Sequence, residues 1–339
     1  MSYRLGILDQ SPIFSGNSST DALQHTIRLA QQAEQWGYKR FWVSEHHDTE
    51  LLAGSSPELL ISHLLAKTET IRVGSGGVML QHYSPYKVAE NFNLLSSLAP
   101  GRVDLGIGKA PGGLPVSTKA LNFGSANQGI DFNERIGLLN DLLEGTVADS
   151  HPLAGVKATP IPPEKTENYL LGASPESAEL AANLGWNFVY ALFINSDRKT
   201  LEKAAAAFHG SSKNGRLFVA AAVVAADTEE EAERLAGDKK IYKVHLQSGK
   251  SVTVVSAESA QAFGKQAGEA FTVTTQEANI LKGTPQKIHE IFGQLHRQFN
   301  IAEFIIHTPI EKQQERLRSF ELLSPIHSNI KKEETVYVY

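Results

Sequence analysis

At the end of a short apolar run, "FWV", the chain places Ser44, Glu45, His46 and His47 in succession. An imidazole changes charge near neutral pH, so either histidine could serve a reaction as acid or base. The same pair could instead cap a strand through backbone hydrogen bonds, and local sequence leaves both readings open. A metal site is not expected. Zincin spacing needs His-Glu-x-x-His on one helical face, whereas here the glutamate precedes the pair and adjacent imidazoles diverge.

Two glycine-rich stretches, "VGSGGVML" and "LGIGKAPGG", invite a phosphate-loop reading and fail it. A GxGxxG pattern from Gly74 would need glycine where Met79 stands, and from Gly106 where Pro111 stands. Lys109 is followed by Ala110, and no glycine lies five residues before Gly108, so a Walker A loop fails too. What remains is shape. Glycines at strand ends either let a flat ligand approach the backbone or simply make tight turns. Further on, "YLLGA" runs into Ser174-Pro175-Glu176-Ser177, which opens a helix. Free N–H groups, a favourable dipole and two hydroxyls there suit a phosphate, and a plain capping box is the competing reading.

Such residues need elements to hold them. Eight apolar runs read as strands: "RLGIL", "FWV", "IRVG", "RVDLGIG", "YLLG", "NFVYALF", "LFVAAAVVA" and "EFIIHT". Segments of helical period separate them. In the first of these segments, from about Asp21 to Trp36, Leu23, Ile27, Ala30 and Ala33 form one stripe, and Gly37 suits the left-handed residue past its end. Five hydroxyl-proline pairs, at Ser56, Ser84, Ser174, Thr284 and Thr308, read as helix starts with a side-chain cap and proline in the first turn. Repeated strand-to-helix units predict an α/β fold, a (β/α)8 TIM barrel whose mouth lies at the C-terminal strand ends. A loop follows strand four, and an insertion of approximately residues 238–282 separates strands seven and eight, with "SVTVV" β-like and "AESAQAFGKQAGEAF" helical. With no second core in view, residues 1–339 are expected to form a single domain.

Composition narrows the functional classes. The chain has 339 residues, 41% apolar and 20% charged, which is ordinary for a globular protein with a large core and rules against extensive disorder. Net charge is −5 and no Lys/Arg-dense stripe appears, so nucleic acid is not an expected partner. With no cysteine, disulfides, iron–sulfur clusters and thiolate nucleophiles are excluded. "MSYRLGILDQ" lacks the layout of a signal peptide and no apolar run reaches the length of a span, so no membrane and a cytoplasmic location are expected.

Together, "LGILDQSP", "FWVSEHH", "IRVGSGGVML", "SPYKVAENFNLLSSLAPGRVDLGIGKAPGG" and "YLLGASPESAELAANLG" resemble the bacterial luciferase-like, flavin-dependent monooxygenases. The resemblance thins after about residue 195. It implies FMN as cofactor, His46 as the catalytic base beside the flavin, and a non-proline cis peptide at Gly76-Gly77 under the flavin ring. It further implies that Lys109 contacts the flavin phosphate, where luciferase has arginine, and that Ser174 and Ser177 lie at the phosphate-binding helix start. Gly108 stands where the luciferase α-chain has a cysteine, which argues against light emission and for a non-luminous branch. The implied activity is that of an FMNH2-dependent monooxygenase. It would use O2 through a flavin C4a-peroxide on a small organic substrate, with a separate flavin reductase supplying reduced flavin. An F420-dependent oxidoreductase of the same superfamily and a non-catalytic flavin-binding protein are the alternatives. The family also implies a homodimer through the helices beginning at Pro57 and Pro85, with Glu90 near the interface, and the loop after strand four and the insertion as a lid.

Overall fold

The computed structural model describes residues 3–124 and 131–327. Its centre is a ring of eight parallel strands: β1 (Arg4–Asp9), β2 (Arg40–Val43), β3 (Arg72–Ser75), β4 (Val103–Gly108), β5 (Glu167–Gly172), β6 (Asn187–Ala191), β7 (Leu217–Ala225) and β8 (Ile301–His307). Each follows one of the eight expected runs. Pairing proceeds β7-β8-β1-β2-β3-β4-β5-β6, and β6 pairs back onto β7 to close the barrel. Two short strands extend it, Val78–Met79 beside β4 and Ile280–Gly283 beside β7. The strands are mostly apolar because both faces are covered. All nine residues of β7, "LFVAAAVVA", are buried.

Side-chain alternation divides the core in two. Outward residues meet the helices in the main cluster, while Leu8, Trp42, Tyr169, Val189, Phe218, Ala220 and Ile305 fill the barrel interior. Below them, at the N-terminal end, lies a buried ionic layer that the hydrophobic pattern does not announce. Arg40 donates to Glu303 (2.7 Å), Asp104 (2.6 Å) and the Tyr169 hydroxyl (2.5 Å). Arg72 and the Trp42 indole also bond Asp104, each at 2.8 Å. Burial opposes the Arg40 charge, but Asp104 and Glu303 more than compensate and hold its pKa well above the ordinary value. These residues open their strands, so parallel pairing gathers them at one end, away from the mouth.

The helix starts are mixed. Ser174 and Thr284 accept from the N–H groups of Ser177 and Lys287 and are side-chain caps as expected. Ser56 and Ser84 stand at the N-cap positions of helices Pro57–Leu65 and Pro85–Leu98 without a side-chain cap bond, so proline and backbone geometry begin those helices. Thr308-Pro309 begins no helix. Thr308 is buried directly after β8, and the next helix, Gln313–Leu323, starts after Lys312. In the first helix, Ser19–Gln35, the buried face is Ala22, Thr26, Leu29, Ala30 and Ala33, rotated slightly from the expected stripe, and Gly37 has φ +79°.

Between β7 and β8 the insertion forms a three-stranded antiparallel sheet of Lys240–Leu246, Ser251–Val254 and Phe271–Glu277, with helix Ala257–Ala267 packed on it. Val244, Ala260 and Phe263 make a small apolar core there, one the sequence reading did not see. The loop after β4 contains a helix, Pro115–Leu121. Leu114 packs on the insertion's core, and the Val116 N–H donates to Gln266 Oε1 at 3.1 Å. Among the described residues no helix is long and apolar enough to cross a membrane.

Candidate active site

Arg40 and Trp42 point into the barrel and Val43 toward the helices, and beyond Val43, where β2 ends, the two histidines differ in their partners. The Glu45 carboxylate is fully buried and accepts three bonds, from His47 Nε2 (2.7 Å), the Tyr83 hydroxyl (2.8 Å) and the Met79 N–H (3.0 Å). The His47 N–H donates to Gly112 O at 2.8 Å, which ties this strand end to the loop after β4. His47 is therefore a latch within the scaffold.

His46 is held differently. Its N–H donates to Gly54 O (2.8 Å), and Nδ1 lies 3.1 Å from Ser44 Oγ. Burial, with repulsion from His47 added, drives its imidazole down from 6.5 to about 4. At neutral pH it is uncharged, with one nitrogen able to accept a proton and the other holding one.

The Gly76–Gly77 peptide bond is cis. A Cβ on Gly76 would come within 2.7 Å of Leu8 Cδ1, inside the barrel, and one on Gly77 within 2.7 Å of Gly106 O. Gly74 and Gly106 are tighter still, at 2.4 Å from Asp104 O and 2.1 Å from Ser75 O. Close approach of β3 to β4 therefore accounts for Gly74, Gly77 and Gly106 without any ligand. Gly108 is the exception. A Cβ there would meet only the Met79 side chain, its sulfur at 3.4 Å and its Cε at 3.6 Å, ordinary contacts. Small residues, Gly76, Gly108, Ala191 and Ala222, lie at the mouth end of the interior, above the buried layer of Leu8, Trp42 and Ile305.

Lys109 and Ser174 follow the neighbouring strands β4 and β5. Lys109 is exposed, makes no ion pair among the described residues, and holds Nζ 5.5 Å from the Phe132 ring centroid. Ser174 Oγ accepts from the Ser177 N–H at 3.3 Å and lies 3.4 Å from Ser177 Oγ, so the capping geometry is realised. Glu176, exposed in the same first turn, has its pKa lowered by hydrogen bonding to Ser174 and to its own N–H. Sheet order sets His46, Gly76-Gly77, Lys109 and the Ser174 helix at consecutive stations around one end of the barrel.

Residues 3–299 match the luciferase-like monooxygenase family. The chain belongs to that family. The match runs well past residue 195, where the recognisable motifs fade. The chain is 44% identical, over 95% of its own length and 97% of the relative's, to an N-acetyl-S-alkylcysteine monooxygenase of Bacillus subtilis (strain 168). Among solved structures, apo-MsnO8 superposes with a TM-score of 0.76 at 32% identity, covering 96% of this chain and 98% of that one. The oxygenating constituent of 3,6-diketocamphane monooxygenase from Pseudomonas putida, in complex with FMN, has a TM-score of 0.67 at 18% identity, covers 96% and 97%, and shares the fold. The luciferase-like protein described here is thus an oxidoreductase of a monooxygenase family on a closed (β/α)8 barrel.

Sequence reasoning singled out His46 but missed Glu45 and Tyr83, which fix the strand end that carries it. It also missed His307, which keeps the inward parity of Glu303 and Ile305 on β8. A signal was available. Within "EFIIHT" the period of two puts Glu, Ile and His on one face, and a polar residue closing such a face at a strand's C-terminal end marks the mouth.

Proposed function

We propose that this protein is an FMNH2-dependent monooxygenase that oxidises thioethers of the N-acyl-S-alkylcysteine class with O2, its reduced flavin delivered by a separate reductase. The observation that carries the reading is the arrangement at the mouth. An uncharged, half-buried imidazole, a glycine at position 108 where a side chain would meet only Met79, and a cation with no carboxylate partner among the described residues beside a serine-capped helix start occupy neighbouring strand ends. These residues fit FMN. Lys109 and the first turn at Ser174 and Ser177 would hold the phosphate, with Glu176 swinging out into solvent, and the small residues at 76 and 108 would admit the flat ring. Bound reduced flavin supplies the activation of O2. His46, neutral at physiological pH, accepts and returns a proton at one ring nitrogen while Ser44 orients the other. The helix Pro115–Leu121 after β4 and the insertion, already in contact through Leu114 and Gln266, close over the mouth and exclude water; residues 125–130 of that loop lie outside the described residues. The substrate class rests on the relative 44% identical across nearly the whole chain.

Anaerobic titration with reduced FMN, reduced riboflavin and reduced F420, followed by O2 with N-acetyl-S-methylcysteine, tests the parts separately. FMNH2 is expected to bind tightest, and consumption of the thioether to require both FMNH2 and O2. Equal affinity for riboflavin removes the phosphate site, tighter F420 removes the flavin, and FMNH2 binding without thioether consumption removes the substrate class. Lys109→Ala is expected to weaken FMN by about 10-fold and riboflavin hardly at all, the loss of one charge-assisted bond.

A further inference from the structure

We propose that His307 is a specificity residue of the active site, whose Nε2 hydrogen-bonds an amide or carboxylate of the organic substrate. The residue closes β8 at the mouth and is level with Ala222 of β7. Two residues earlier Ile305 belongs to the interior cluster, and two before that Glu303 bonds Arg40, so alternation turns the imidazole inward. The ring meets Phe193 edge to face, centroids 4.8 Å apart, and Phe193 itself leans on the interior cluster from just beyond β6.

His307 has an unmet bond in a place where a ligand could fill it. Its Nε2 is buried and has no hydrogen-bond partner among the described residues. Such an atom is destabilising unless something fills the bond. The other imidazoles beside the mouth are engaged. His46 Nδ1 faces Ser44, His47 holds Glu45, and His82 Nε2 lies 2.9 Å from Pro111 O. Burial, aided by Arg316, drives the His307 imidazole from 6.5 down to about 4, so it enters the complex neutral and offers a directed hydrogen bond instead of a charge. His46 and His307 lie at the ends of β2 and β8, with β1 between them. A substrate whose reacting atom faces His46 can therefore reach His307 with a polar group a few bonds away. A site built to bond such a group rejects analogues that lack it, because the buried atom is again left unpaired.

The proposal rests on the monooxygenase reading but not on which thioether is used, and the experiment separates the two. In the complete system, KM and kcat are measured for N-acetyl-S-methylcysteine and for diethyl sulfide, which has neither amide nor carboxylate, with the unaltered protein, His307→Leu and His307→Gln. His307→Leu is expected to raise KM for the amino-acid thioether at least about 10-fold, to leave the plain sulfide and FMN affinity within about 2-fold, and His307→Gln to restore part of the loss. Equal effects on both sulfides, or a matching fall in FMN affinity, overturn it in favour of packing or flavin contact. Should the unaltered protein oxidise neither compound, the substrate class fails and His307 is judged by NMR of protein labelled with ¹⁵N-histidine. Acetamide or acetate, at concentrations up to about 0.1 M, is expected to shift one imidazole resonance that is missing in His307→Leu. No such shift with either probe overturns the proposal.

Discussion

At the scale of single residues the mouth is built from side chains that differ in why they are there. Gly106 and Gly108 look alike in sequence, yet one is demanded by a neighbouring carbonyl and the other is not. Gly106→Ala is expected to destabilise the fold by about 2 kcal/mol or more through overpacking against Ser75 O. Gly108→Ala is expected to leave the urea midpoint nearly unchanged while weakening FMN. A large loss of stability in Gly108→Ala would place the glycine in the packing and not the site. His46→Ala should retain FMN, since no phosphate contact is removed, and lower substrate oxidation by about 10²- to 10⁴-fold if the imidazole moves the proton. Wild-type turnover in that variant would leave His46 only its backbone role at Gly54. The two depressed histidines also give a pH dependence. Each sits near 6.5 when unfolded and about 4 when folded, so between those values the unfolded chain binds protons the native one does not. Stability is then fully present above pH 6.5 and falls as the pH drops toward 4. Thermal melts from pH 7 to pH 4.5 are expected to show a shallower decline in the His46→Gln/His307→Gln double variant, and an unchanged slope would contradict the burial of both rings.

At the scale of elements, the barrel separates stability from chemistry along its axis. The first few residues of the strands gather Arg40, Arg72, Asp104, Glu167 and Glu303 at the N-terminal end, while the last residues lead into the proposed site. Removing one partner of a fully buried pair strands the other charge. Arg40→Met is accordingly expected to cost about 3–5 kcal/mol in urea unfolding, because Asp104 and Glu303 lose their common partner. A loss under about 1 kcal/mol would show the layer to be slack or hydrated. At the opposite end, the Glu45 carboxylate joins three elements: it receives His47 from its own strand end, Tyr83 from before helix Pro85–Leu98, and the N–H of Met79. That junction stiffens the backbone from which His46 projects.

At the scale of the whole molecule, the outer surface of helices Pro57–Leu65 and Pro85–Leu98 is more apolar than one barrel requires. Leu59, Leu94 and Leu98 are 72%, 50% and 66% exposed on these two adjacent helices. A second copy would cover them, and Glu90, bonded to Lys87 at 3.1 Å, lies on the same helix as Leu94. A dimer is expected by sedimentation at micromolar concentration, and Leu59→Lys/Leu94→Glu is expected to give a folded monomer. A wild-type monomer would remove the homodimer from the reading.

The sequence by itself determined the barrel. Period-two and continuous apolar runs, separated by segments of helical period, encode which residues are buried, and burial on both faces of eight strands admits few architectures. It also determined the strand-end position of His46 and the helix start at Ser174, since both follow from local chemistry next to a legible element. Tertiary structure alone decided which glycines are packing and which are space, because that depends on a carbonyl from a strand some thirty residues away, as with Gly106 and Ser75. It alone decided that His47 and Tyr83 both bond Glu45, and that His307 Nε2 is buried with no hydrogen-bond partner among the described residues. The Ser75–Gly106 and Tyr83–Glu45 contacts join residues well apart in the chain and are set by the packing of neighbouring strands, while closure of the ring brings β8, and His307 with it, next to β1.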